Sequence, residues 1–157
     1  LMTPFENTRV EIIGASETIR DKILVGLNNR HPQFHDVHLL DMNTGEYRWT
    51  IPHGDAPAAE QEAIRNHPML QGLDVEANRG RSGHSAMIVT EELLIASGRD
   101  AEGENFIFAI DKATGQRVGQ VPIPAQSRYG MSGWVHEGRQ YVLVQLPTGL
   151  AAYALPE

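Results

Sequence analysis

The chain has 157 residues, enough for one domain with a sizeable core. Thirteen basic against twenty acidic residues give a formal charge of −7, which argues against a nucleic-acid surface and an anionic membrane surface. Cysteine is absent, which excludes disulfides, thiolate metal sites and a cysteine nucleophile, and no apolar run is long enough for a membrane span or a secretory leader.

Taken in order, residues 1–9 have no periodicity, and the first residue is Leu1 rather than Met, so a piece of a longer protein is expected. Strands are predicted at Val10–Ala15, Lys22–Leu27, Asp36–Leu40 and Tyr47–Ile51, about the content of one propeller blade. Residues 53–82 break that rhythm. Ala56–Arg65 reads as a helix with Pro57 early in it, and Asn66–Ser82 as a long excursion. Strands return at Ser85–Val89, Leu93–Ser97, Phe106–Ile110 and Arg117–Ile123. A last unit, Gly130–His136, Gln140–Leu146 and Leu150–Leu155, has about three strands.

One hairpin phrase occurs twice. Residues 39–52 and 109–122 share Asp41/Asp111, Thr44/Thr114, Gly45/Gly115 and Pro52/Pro122 at fixed offsets. The Asp carboxylate can accept turn N–H groups, and the Gly supplies the positive φ that starts the next strand in register. Repetition of small antiparallel sheets points to an all-β chain, a partial β-propeller of about three four-stranded blades. The expected organisation is one incomplete propeller domain with units 10–52, 83–123 and 130–156 and a loop-and-helix excursion at 53–82. Closure takes at least about four blades of roughly 40–45 residues, so open sheet edges are expected.

Candidate sites are few. His31, His35, Asp36 and His38 form a cluster, but Pro32 and strand-like neighbours argue against the helix that an i, i+4 metal pair requires. Strand alternation puts Asp36 and His38 on one face and His35 on the other, so no metal ligand is assigned. Gly130-Met131-Ser132-Gly133-Trp134 fails as a nucleophile elbow on spacing and context. His67, Pro68, Asp74 and Glu76 could line a substrate mouth or simply be a solvated loop.

Two resemblances follow from longer phrases. Asp-Met-Asn-Thr-Gly-Glu-Tyr-Arg-Trp (41–49), Arg-Asn-His-Pro-Met-Leu (65–70) and Ala-Met-Ile-Val-Thr-Glu-Glu-Leu-Leu-Ile-Ala (86–96) are three of them. With Ala-Ile-Asp-Lys-Ala-Thr-Gly (109–115), His-Glu-Gly-Arg-Gln-Tyr-Val-Leu-Val (136–144) and Ala-Tyr-Ala-Leu-Pro (152–156), they make residues 40–157 resemble the C-terminal end of pyrroloquinoline-quinone (PQQ) dependent sugar and alcohol dehydrogenases. Residues 9–46, through the run 22–41, resemble a blade of the propeller of prolyl-oligopeptidase-type serine peptidases.

The first resemblance implies oxidation of a sugar or alcohol in the periplasm, with PQQ and calcium as cofactors and a carboxylate base. That base and most calcium ligands belong to earlier blades, so no catalytic residue is carried over. Gly83 and His84, just before the strand at Ser85–Val89, are the candidate cofactor contacts. Trp49 stands where the family carries its blade-packing tryptophan, and Gly119 stands there in the second repeat, so a weaker inter-blade contact is expected at Gly119. Three functions remain open: a dehydrogenase portion inactive alone, a non-catalytic binding or scaffold propeller, or a serine-peptidase propeller. The expected partners are a small sugar or alcohol and a second copy paired through open blade edges, with no nucleic acid.

Overall fold

The computed structural model describes residues 8–15, 20–31, 34–81 and 85–154, without the side chains of 29–31, 34 and 35. Among the described residues, eleven strands form three antiparallel sheets. The first blade is β1 (Val10–Ala15), β2 (Lys22–His31), β3 (Phe34–Asp41) and β4 (Tyr47–Pro52), in that order. The second is β5 (Met87–Val89), β6 (Leu93–Arg99), β7 (Asn105–Asp111) and β8 (Arg117–Pro122). The third has β9 (Met131–His136), β10 (Arg139–Leu146) and β11 (Gly149–Ala154). The first strands of successive blades, β1, β5 and β9, lie against one another. The chain is thus an open part of a propeller.

Apolar alternation explains the stacking. In β6, Leu94 and Ala96 join Phe108 and Ile110 of β7 in a core with Leu24, Val37 and Leu39 of the first blade. Between them, Ile95 and Ile107 turn the other way, onto Val142, Val144 and Leu146 of β10. A strand buried on both faces reads as a continuous apolar run, as Leu93-Leu94-Ile95-Ala96 does. Phe108, Leu94, Ile95, Val142 and Val144 are fully buried, and each such side chain contributes roughly 1.5–3 kcal/mol.

The repeated phrase folds the same way twice. Asp41 Oδ1 accepts the N–H groups of Asn43 at 3.0 Å and Thr44 at 3.2 Å. Asp111 Oδ1 accepts the N–H and the hydroxyl of Thr114, both at 2.7 Å. Gly45 and Gly115 adopt φ +74° and +75°, the left-handed region that favours glycine. A register shift follows in both hairpins, between Leu39 and Leu40 and between Ala109 and Ile110. These bonds hold both carboxyls below the ordinary carboxylate range; the Thr44 amide is the largest cause at Asp41 and the Thr114 hydroxyl at Asp111.

The helix α1 spans Ala58–Arg65, two residues shorter than the sequence suggests. Ala56 is committed elsewhere: its N–H donates to Asn78 Oδ1 at 2.8 Å and its carbonyl accepts from Gln61 Nε2 at 2.8 Å. Strand β5 likewise starts at Met87 rather than Ser85, because Ser85 donates its hydroxyl to the Ser97 carbonyl and Ala86 donates its N–H to Ser127 O at 3.1 Å. Among the described residues no helix is long and apolar enough to cross a membrane.

Candidate functional site

The excursion after β4 is stitched to the second blade. Asp55 N–H donates to Arg99 O at 2.8 Å and Ala58 N–H to Ala101 O at 3.1 Å. Arg117 on β8 grips the Asp55 carboxylate with two N–H groups, at 2.8 and 2.9 Å, and Asn78 Nδ2 donates to the same carboxylate at 2.7 Å. Arg117 also lies over the Phe108 ring, 3.8 Å from its centroid. A bidentate guanidinium–carboxylate pair fixes orientation as well as distance. Arg81 ties the return leg: its Nε donates to Asp55 O at 2.9 Å and its guanidinium to Asp100 O at 3.1 Å. Buried His53 donates from Nε2 to Ser97 O at 3.0 Å.

Two cavities open beneath these loops. One, of about 310 Å³, lies between the first two blades, with Ile51, Phe108 and Ile110 as walls and His53, Asp55 and Arg117 in its lining. The other, of about 510 Å³, is lined by Asp36, Thr50, Asp74, Glu76, Asn78 and Arg79. Acidic residues far apart in sequence thus border one open cavity, in which Asp36 is buried and Asp74 and Glu76 are solvent-exposed. Its one amide, Asn78, is committed: Nδ2 donates to Asp55 and Oδ1 accepts the N–H groups of Ala56 and Gly80 at 2.8 and 3.0 Å. His67 sits apart, capping the short 3-10 turn Pro68–Leu70 by accepting the Met69 N–H at 3.3 Å.

Asp36 and His38 do share a face. His38 Nδ1 lies 2.8 Å from the Thr50 hydroxyl and its ring is 4.6 Å from Tyr47. His38 Nε2 and the Tyr47 hydroxyl are buried without a hydrogen-bond partner among the described residues. Burial pushes the His38 pKa down, partly opposed by Asp36. Among the described residues no three His, Cys, Asp or Glu side chains are placed to hold a metal ion. Gly83 and His84 lie outside the described residues; their flanks are anchored by the Arg81 and Ser85 bonds.

A third cleft, of about 680 Å³, runs along the line where β1, β5 and β9 meet. Its lining mixes apolar side chains, among them Ile13, Met87, Val89, Trp134 and Val135, with the polar Thr90 and Gln140, and among the described residues Glu91 is its one ionisable side chain. Trp134 stacks on Tyr141 at 5.2 Å.

The tie between the first two blades passes through Trp49. Its indole N–H donates to Lys112 O at 3.0 Å, inside the second Asp-x-x-Thr-Gly turn, and its ring lies so close to Gly115 that a Cβ there would stand 2.8 Å from it. The Lys112 ammonium, whose pKa burial lowers, donates to Thr90 O at 2.7 Å. An aromatic of one blade seated on the turn of the next agrees with the family model that the sequence matches over residues 8–142, the β-propeller domain of glucose, ethanol and alcohol dehydrogenases of the PQQ type. The chain belongs to that PQQ-type propeller family.

The PQQ-type propeller also resembles a peptidase. A dipeptidyl aminopeptidase BIII from Pseudoxanthomonas mexicana is 30% identical over 142 residues, which covers 74% of this chain and 20% of the peptidase. The chain thus spans about a fifth of that relative's length. No solved structure matches it. Sequence reasoning missed the Asp55–Arg117 pair, whose members stand 62 positions apart with no motif joining them. It missed His53 on Ser97 for the same reason.

Proposed function

We propose that these blades are the wall of a larger PQQ-type dehydrogenase-like propeller that oxidises a sugar or alcohol, and that they do not catalyse alone. The family match over residues 8–142 carries this reading, and the open cavity at Asp36, Asp74 and Glu76, whose carboxylates can accept hydroxyl hydrogens, supports it. The described axial cleft does not suit the family's cofactors. PQQ is a carboxylated anion, whereas the described lining of the cleft has no basic side chain and carries the like-charged Glu91. Calcium takes six to eight oxygen ligands, and the described residues assemble no such set. The groups that hold the metal, and the base, are therefore assigned to other blades, and Gly83 and His84 stay the candidate quinone contacts. The parent protein would work in the bacterial periplasm.

Calorimetric titration of the 157-residue chain with PQQ in excess Ca²⁺ tests this. No saturable binding and no dye reduction with glucose or simple alcohols is the expected result. Saturation at micromolar quinone would overturn the wall reading and put the quinone floor in these blades. Self-association through the open third blade is expected at tens of micromolar; a monomeric mass by light scattering would remove it.

The peptidase relative favours a second reading, in which the propeller screens substrates for a hydrolase domain elsewhere in the parent. Assaying the parent both for dye-linked sugar oxidation and for release of chromogenic dipeptides separates the two.

A further inference from the structure

Each blade ends in an outer strand, and the three outer edges are guarded unequally. Strand β4 carries Arg48 and Pro52 and a register shift against β3. Strand β8 carries Arg117 and Pro122 and the matching shift against β7. Charges, prolines and bulges are the devices that keep a strand edge from pairing with another chain. Strand β11 has none of them. Its sequence, Gly-Leu-Ala-Ala-Tyr-Ala, holds no charge and no proline, and it pairs with β10 in unbroken register. Gln145, opposite Leu150, donates its N–H away from β11, to Gly130 O at 3.2 Å. Leu150 therefore points its own N–H and C=O away from β10, and antiparallel alternation gives Ala152 and Ala154 the same direction.

We propose that the β11 edge binds an extended, uncharged peptide segment, which adds as a fourth strand to the third blade and lies over β8. The backbone dictates the class of ligand. A row of outward amide groups at strand spacing is satisfied all at once only by another strand. The fold has a place for it: the first two blades have four strands each, whereas among the described residues the third has three. Beside the edge runs an open groove of about 440 Å³, bordered by Val118, Gly119 and Val121 of β8 and by Tyr153 and Ala154 of β11. Val118 and Val121 are 60% and 41% exposed there. An added strand with β-branched apolar residues at alternate positions would cover them, continuing the apolar seam that already joins the second and third blades. Main-chain bonds supply the affinity of such an addition and the alternate side chains its selectivity.

The test is a titration of the 157-residue chain with the acetylated peptide Lys-Thr-Val-Thr-Val-Thr-Val-Glu, followed by amide shifts in nitrogen-15 spectra and by amide hydrogen exchange. One site saturating below about a millimolar is expected. At saturation the amides of Leu150, Ala152 and Ala154 should exchange at least about tenfold more slowly, while Ala151 and Tyr153, which face β10, change little. The same peptide N-methylated at every valine and threonine cannot form the ladder and should not saturate. Ala152→Pro removes one outward donor, a change that an edge strand tolerates, and should weaken binding at least about tenfold with the melting temperature within a few degrees. Should that variant fail to fold, the methylated peptide and the exchange pattern decide. No saturation at several millimolar, equal binding of the methylated peptide, or unchanged binding by Ala152→Pro would each overturn the proposal. So would self-association that Ala152→Pro abolishes without any peptide binding, which would assign the edge to a second copy.

Discussion

The two seams of this molecule differ most plainly at one repeat position, Trp49 in the first blade and Gly119 in the second. Between the first and second blades, Trp49 bridges to Lys112 O, the Asp55–Arg117 pair locks the excursion across the gap, and the apolar core lies beneath. Between the second and third, an apolar core of similar make carries the contact, and Ser127 adds an N–H donated to Ser97 Oγ at 2.8 Å. Strand β4 is partly covered, whereas every residue of β8 is exposed, Val118 at 60%. Apolar burial therefore packs one blade on the next at both seams, and a side chain long enough to reach the neighbour's turn adds a directional tie at the first.

Removing that side chain should have the largest effect. Trp49→Ala is expected to cost about 3 kcal/mol in urea unfolding, from lost burial and the orphaned Lys112 carbonyl. Gly119→Ala, at the matching position, should stay within about 0.5 kcal/mol. Equal costs would dissolve the comparison.

The turn under the tryptophan comes next. Gly115→Ala places a methyl 2.8 Å from the indole at φ +75°, and should cost about 2 kcal/mol or more. Gly45→Ala, with nothing within 4 Å, bears only the left-handed strain of about 1 kcal/mol. The difference between the two melting temperatures isolates the inter-blade contact.

A smaller loss, roughly 1 kcal/mol, is expected for Arg117→Ala, since the pair is partly solvated. Its diagnostic is limited proteolysis, where cleavage within residues 53–81 should speed up more than cleavage in the third blade.

The smallest effect is a pH dependence confined to the first blade. His38 is held below its ordinary value of 6.5 by burial. On acidification the unfolded chain takes up that proton first, so stability falls as pH drops through about 6.5 and levels off below the folded value. Urea midpoints between pH 7.5 and 5.5 should show the decline, and His38→Gln should flatten it. An unchanged slope would mean that other groups carry the proton uptake.

Much of this was legible in the chain itself. Asp41, Thr44 and Gly45, repeated at Asp111, Thr114 and Gly115, determine both hairpins because turn amides and a positive φ are local demands. Two-sided apolar runs such as Leu93–Ala96 determine which strands lie between neighbours. Even the lack of a bridging side chain at Gly119 could be read from its standing in the place of Trp49. What only the tertiary structure decided are pairings that no spacing rule constrains. Asp55 finds Arg117, His53 finds Ser97, and Asp36 shares a cavity with Asp74 and Glu76, because the excursion folds back over two blades. Local hydrogen bonding and alternation act over a few residues and are written in order along the chain; the meeting of remote polar groups depends on where the sheets have already put them.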